Sequence, residues 1–99
     1  MTITDEFVDD KLVISIEGRI ETNTAPEFQN AVLGAFQKCS NIVLDFEEVS
    51  YISSAGLRGL LLGQKTAQSK GGSMVLTNVN DAVMEVLKMT GFKNILTIQ

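Results

Sequence analysis

An α/β fold with a mostly parallel sheet is the class this chain predicts. Apolar runs of strand length alternate with stretches of helical periodicity, and the first two runs follow each other with only Asp9-Asp10 between them. Gly or Asn punctuates most of the remaining junctions. The order reads β-β-α-β-α-β-α-β: an antiparallel first pair, then parallel strands joined by crossover helices packed on the sheet. With 99 residues, 44% of them hydrophobic, and no low-complexity linker or internal repeat, a single domain is expected over 1–99.

Ile3 to Val8 and Lys11 to Glu17 form the first two strands, hinged at Asp9-Asp10. In the second, Leu12, Ile14 and Ile16 alternate with Val13, Ser15 and Glu17, so one face is strongly apolar; Gly18 is expected to end it. A helix should begin near Thr24, where Thr24 and Glu27 have capping-box spacing and Pro26 falls in the first turn. Phe28, Val32, Ala35 and Phe36 then recur as one buried stripe. Asn41 to Phe46 (NIVLDF) suits a central strand, followed by a loop over Glu47 to Ile52. A second helix starts at Ser53 or Ser54 and stops before Gly71-Gly72. Ser73 to Thr77 is the next strand, Asn78 or Asn80 caps a third helix running to Met89, and Ile95 to Ile98 is the last strand.

The composition excludes much chemistry. No histidine means no Ser-His-Asp or Cys-His nucleophile and no His-bearing zinc site. A lone cysteine, Cys39, allows neither an intrachain disulfide nor a Cys cluster, so no metal or cofactor is expected. Cys39 reads as a packing residue, as do Met74, Met84 and Met89, while Tyr51 reads as a hydrophobic lid. The formal charge of −4, with basic residues scattered, argues against nucleic-acid binding. The acidic amino terminus resembles no signal peptide and no run approaches membrane-spanning length, so a cytoplasmic chain without membrane insertion, a monomer, is expected.

The second helix opens Ser53-Ser54-Ala55-Gly56-Leu57-Arg58. A serine at a helix start accepts a hydrogen bond from a first-turn N–H, and one serine suffices as cap. With Ser53 in that role, Ser54 sits in the first turn with its hydroxyl outward. Ser54, Arg58, Leu61 and Lys65 share a face, with Leu62 beside them. Gly56, Leu57, Leu60, Gly63 and Ala67 lie opposite, small enough to bring the helix close to the sheet. At least one of Leu61 and Leu62 is therefore expected exposed between Arg58 and Lys65, as part of a docking patch. Gly63-Gln64-Lys65-Thr66 is no phosphate-binding loop: Gln64 separates Gly from Lys, and the segment is mid-helix. A small enzyme with Ser54 as nucleophile needs a base, and no spacing sets Lys65, Lys70, Glu21 or Glu47 beside it.

These residues resemble the STAS domain, in particular the bacterial anti-anti-sigma factors (anti-sigma factor antagonists). The resemblance rests on Ser53 to Arg58 after Asn41-Ile-Val-Leu-Asp-Phe, with Gly18 to Glu27 upstream and Gly71 to Thr77 and Val86 to Ile95 downstream. It implies that Ser54 is the phosphoacceptor and that Ser53 and Gly56 are motif and cap positions. Ser53 stands where the family motif has aspartate, Arg58 where it has a second glycine, and Glu21 where the first strand–helix junction usually has aspartate. The implied partner-facing surface combines Glu21, Thr22 and Asn23 with Ser54, Arg58, Leu61, Leu62 and Lys65. What it implies for function is a partner switch: the unmodified protein binds an anti-sigma factor of serine kinase type, that partner phosphorylates Ser54, and a PP2C-type phosphatase resets it. Glu47 and Glu48 are expected to add repulsion to the phosphate. The alternative implied by the same family is a non-phosphorylated STAS module, a sensory-complex scaffold or a lipid-transporter subunit.

Overall fold

In the computed structural model, which describes residues 1–99, the apolar runs become five strands lying side by side in chain order. The elements are β1 (Thr2–Val8), β2 (Lys11–Ile20), α1 (Ala25–Ala35), β3 (Asn41–Ile52), α2 (Ser54–Ser69), β4 (Ser73–Thr77), α3 (Asp81–Met89) and β5 (Thr97–Ile98), with a 3-10 turn at Phe92–Asn94. β1 and β2 pair antiparallel around the turn at Asp9-Asp10, where Asp9 takes φ 58°; every later pairing is parallel. This is the architecture the sequence predicts.

The period-2 pattern sets the two faces of the sheet. Leu12, Ile14 and Ile16 of β2, Ile42, Leu44 and Phe46 of β3, and Met74 and Leu76 of β4 are buried against the helical layer. Their alternates Val13, Ser15, Val43, Asp45 and Val75 are only half-buried. The stripe expected on α1 is confirmed: Phe28, Val32, Ala35 and Phe36 are all buried, and Phe28 meets Phe46 edge to face at 6.3 Å between ring centroids. On α2, Gly56, Leu57, Leu60, Gly63 and Ala67 are buried as expected, together with Gly59. The small residues admit more than the sheet. A Cβ on Gly63 would fall 2.7 Å from Met74 Sδ of β4 and 2.8 Å from Val32 Cγ1 of α1, so glycine lets α2 close on the sheet and on α1 at once.

Several local expectations are corrected. β2 does not end at Gly18; it passes through that glycine at φ 117°, with register shifts against β3 between Ser15 and Glu17 and between Gly18 and Arg19, and continues to Ile20. Glu47 to Ile52 is not a loop but the second half of β3, paired with the tail of β2. Thr24 does precede α1, but it makes no side-chain cap bond. Its Oγ1 accepts from Glu21 N–H at 2.8 Å and donates to the Arg19 carbonyl at 2.8 Å, which fastens the β2–α1 turn instead. β5 is two residues rather than Ile95 to Ile98, because the chain first makes its 3-10 turn. Met89, expected in the core, is 79% exposed at the end of α3.

One buried group lacks a partner. Gln64 Oε1 on α2 is inaccessible to water and accepts no hydrogen bond. An orphaned acceptor destabilises, whereas an apolar side chain of similar size does not. Gln64→Leu is expected to raise unfolding stability by about 1 kcal/mol, read as an increased urea midpoint with an unchanged slope.

Candidate functional site

The site lies at the carboxyl ends of β2 and β3, the edge of a parallel sheet where ligand and partner surfaces commonly form. These two strands outrun β4, whose last paired residue, Thr77, reaches only Asp45 of β3. Beyond that level the sheet is a two-strand ledge, with Arg19 opposite Tyr51 and Ile20 opposite Ile52. Polar side chains brace the ledge. Asp45 Oδ1 accepts from Glu47 N–H at 3.0 Å and from Asn78 Nδ2 at 3.1 Å. Asn80 has two tasks: its Oδ1 caps α3 by accepting from Val83 N–H at 2.9 Å, and its Nδ2 donates to the Val49 carbonyl at 2.7 Å.

α2 starts from the end of this ledge. Ser53 N–H donates to the Ile20 carbonyl at 2.8 Å, tying the helix start to β2. Ser53, in extended conformation at ψ 173°, accepts at its Oγ from Gly56 N–H at 3.2 Å, and its carbonyl accepts from Leu57 N–H at 2.9 Å. It is the N-cap that the sequence predicts. Ser54 follows as the first residue of the helix, exposed, with no hydrogen bond to its hydroxyl from within the chain. Gly56 holds the turn against the sheet: a Cβ there would sit 2.7 Å from both Ile20 Cγ2 and Ile52 Cγ1.

The structure brings together part of the predicted surface. Glu21, Thr22 and Asn23 leave β2 directly beside the start of α2, and Thr22 and Asn23 are exposed. Glu21 is already engaged, its Oε1 accepting from Arg19 Nε at 3.0 Å. Arg58 is exposed one turn beyond Ser54 and forms no ion pair; the two pairs in the structure are Arg19–Glu21 and Lys38–Asp5. Lys65 is exposed on the same helix but stands about 16 Å from Ser54 along the axis. The expectation that Leu61 or Leu62 is exposed is corrected: both are half-buried, on a helix that packs against α1 as well as the sheet.

Glu47 and Glu48 are also displaced from their expected place. On the strand, Glu48 is four residues before Ile52, about 13 Å back from the start of α2, beyond the screening length at physiological salt. They contribute little field at Ser54. Sequence reasoning missed one neighbour of the site. The Arg19 guanidinium stacks over the Tyr51 ring, 4.5 Å from its centroid, so Tyr51 is a platform for Arg19 rather than a lid. Arginine and an aromatic both occurring near strand ends is a signal only once the strands are in register. Cys39 packs against the core rim, with its thiol donating to backbone carbonyls of Asp10 and Asn41.

The one cavity, about 450 Å³, lies elsewhere, between β1–β2 and α1, where Lys38 Nζ bridges to Asp5 Oδ2 at 3.2 Å. No cluster of three metal-ligating side chains assembles, and no helix is long and apolar enough to cross a membrane.

Comparison with known proteins fits this geometry. The STAS domain model matches residues 2–99. The chain is 33% identical to the anti-sigma-B factor antagonist of Listeria monocytogenes over 93 residues, covering 91% of this chain and 80% of that one. Among solved structures, a Thermotoga maritima protein described as a candidate anti-sigma factor antagonist superposes with a TM-score of 0.90 at 26% identity, over 97% of this chain and 84% of that one. The Bacillus cell fate determinant SpoIIAA in its phosphorylated form shares the fold at a TM-score of 0.74 and 18% identity, over 99% of this chain and 91% of that one.

Proposed function

The chain belongs to the STAS domain family, and from that premise we propose that it is an anti-sigma factor antagonist controlled by phosphorylation of Ser54. Unmodified, it docks on an anti-sigma factor through the rim formed by Glu21, Thr22, Asn23, Ser54 and Arg58, with the outward parts of Leu61, Leu62 and Lys65 extending the contact along α2. The sigma factor is thereby released, which places the protein in the cytoplasm with the transcription machinery. The observation that carries the reading is the pair of adjacent serines at the helix start: Ser53 is spent on the cap, and Ser54 offers an exposed hydroxyl.

The chemistry belongs to the partner. A serine kinase of the anti-sigma type transfers the γ-phosphoryl group of ATP to Ser54 Oγ: the Oγ–P bond forms as the bond to the ADP oxygen breaks, and the hydroxyl proton leaves to a base of the kinase. A PP2C-type phosphatase reverses the state with water, releasing inorganic phosphate. The modification adds about −1.5 to −2 charges and three acceptor oxygens in the middle of the docking rim. Burying that added charge opposes docking, and a loss of about 3 kcal/mol weakens binding by 100-fold or more.

The test uses the anti-sigma-type kinase encoded in the same genome, identified by gene neighbourhood, with ATP. Intact mass should show one phosphate on the wild type and none on Ser54→Ala, and the phosphorylated protein should bind the kinase about 100-fold more weakly. Equal phosphate on the two proteins overturns the assignment, as does undiminished binding after modification.

A further inference from the structure

Arg58 is one of two departures from the family motif around Ser54, and its surroundings are unusual. It is exposed, it lies one helical turn from Ser54, and it pairs with no carboxylate. No acidic residue occurs anywhere in α2, SAGLRGLLLGQKTAQS, so nothing along the helix offsets its charge. It also sits near the amino terminus, the positive end of the helix dipole, where a cation is disfavoured. Arg19, the cation on the neighbouring strand end, is already committed to Glu21 and to the Tyr51 ring. The unpaired cation nearest Ser54 is therefore Arg58.

We propose that Arg58 is an intramolecular phosphate receptor: once Ser54 is phosphorylated, its guanidinium folds back along α2 and pairs with the phosphate of its own chain. This rests on Ser54 being the phosphoacceptor. Residues four apart on a helix bring their Cβ atoms within about 6 Å, and a helical side chain leans over the turn amino-terminal to its own Cα, which for Arg58 is the turn of Ser54. The order is also the favourable one, an anion amino-terminal to a cation at i,i+4. A planar guanidinium presents paired N–H donors that match two phosphate oxygens.

The regulatory consequence is a double loss from a single modification. The phosphate adds negative charge to the rim, and it withdraws Arg58 from any carboxylate on the partner. The phosphorylated state is then a closed pair rather than an exposed anion, which slows the phosphatase until the pair opens.

The test needs no partner protein. Phosphoserine is installed at position 54 of the full chain by genetic encoding, in wild type, Arg58→Ala and Arg58→Lys, and the phosphate is titrated by ³¹P NMR at low salt. A nearby cation favours the dianion, so the second phosphate pKa, normally about 6, should lie about half a unit lower in wild type than in Arg58→Ala. Arg58→Lys should fall between the two, and the difference should shrink in about 0.5 M salt. Identical titration of the wild type and Arg58→Ala overturns the proposal. A kinase assay in which Ser54 receives no phosphate overturns the parent reading and leaves the titration as it is, so the two failures are separable.

Discussion

Phe28→Ala is expected to remove about 3–5 kcal/mol of folding stability, a large share of what a domain of this size possesses. Phe28 is fully buried on α1, edge to face with Phe46 of β3, and its ring lies where a Cβ on Gly59 of α2 would come within 3.2 Å. One ring therefore fills the junction of three elements. Truncation removes its transfer energy and leaves a cavity walled by a helix pair that is already in close contact and has little room to collapse. Phe28→Leu keeps most of the volume and should lose roughly half as much. Urea denaturation of the three proteins checks the ranking; a loss under about 1 kcal/mol for Phe28→Ala would mean that α1 does not seal the core through this residue.

Gly56→Val should cost about 2–3 kcal/mol and impair the site along with the fold. A Cβ at Gly56 meets Ile20 Cγ2 and Ile52 Cγ1 at 2.7 Å, and these are branched side chains fixed on the strand ledge, so the helix start itself has to shift. That shift strains the bond from Ser53 N–H to the Ile20 carbonyl and the cap from Gly56 N–H to Ser53 Oγ. Gly56→Ala meets the same contacts but regains about 1 kcal/mol of helix propensity, so it should fall between wild type and valine. Thermal melts combined with the Ser54 phosphorylation assay separate the two effects. At temperatures where the valine variant is still folded, its rate of phosphate incorporation should remain well below that of the wild type.

Much of this was legible in the residues themselves. The alternation of Leu12, Ile14 and Ile16, the stripe Phe28-Val32-Ala35-Phe36 and the cap at Ser53 are local patterns, and each occurs in the structure as read. The element order and the mostly parallel sheet with its antiparallel first pair followed from such patterns, while the family resemblance rested on Ser53 to Arg58 and the segments around it. What was hidden depended on partners distant in sequence. Glu47-Glu48-Val49-Ser50 carries two charges and resembles a loop, yet it is a strand because the tail of β2 pairs with it through two register shifts that break the simple alternation. Thr24 and Glu27 have the right spacing for a capping box, but the Thr24 hydroxyl finds the backbone of Arg19 and Glu21 first. Leu61 and Leu62 appeared in surplus on one helix face. Both are half-buried on a helix that lies against α1 as well as the sheet, a placement that one-dimensional periodicity does not encode.

The Ser53 cap has a consequence for selectivity. Two identical side chains stand next to each other, and an enzyme approaching from solvent meets them in different states. Ser53 is half-buried and held by the Gly56 N–H, whereas Ser54 is exposed and its hydroxyl has no partner within the chain. Under the proposed function, discrimination between the neighbouring serines is built into the backbone geometry of this chain, because the cap engages Ser53 and leaves the Ser54 hydroxyl without a partner.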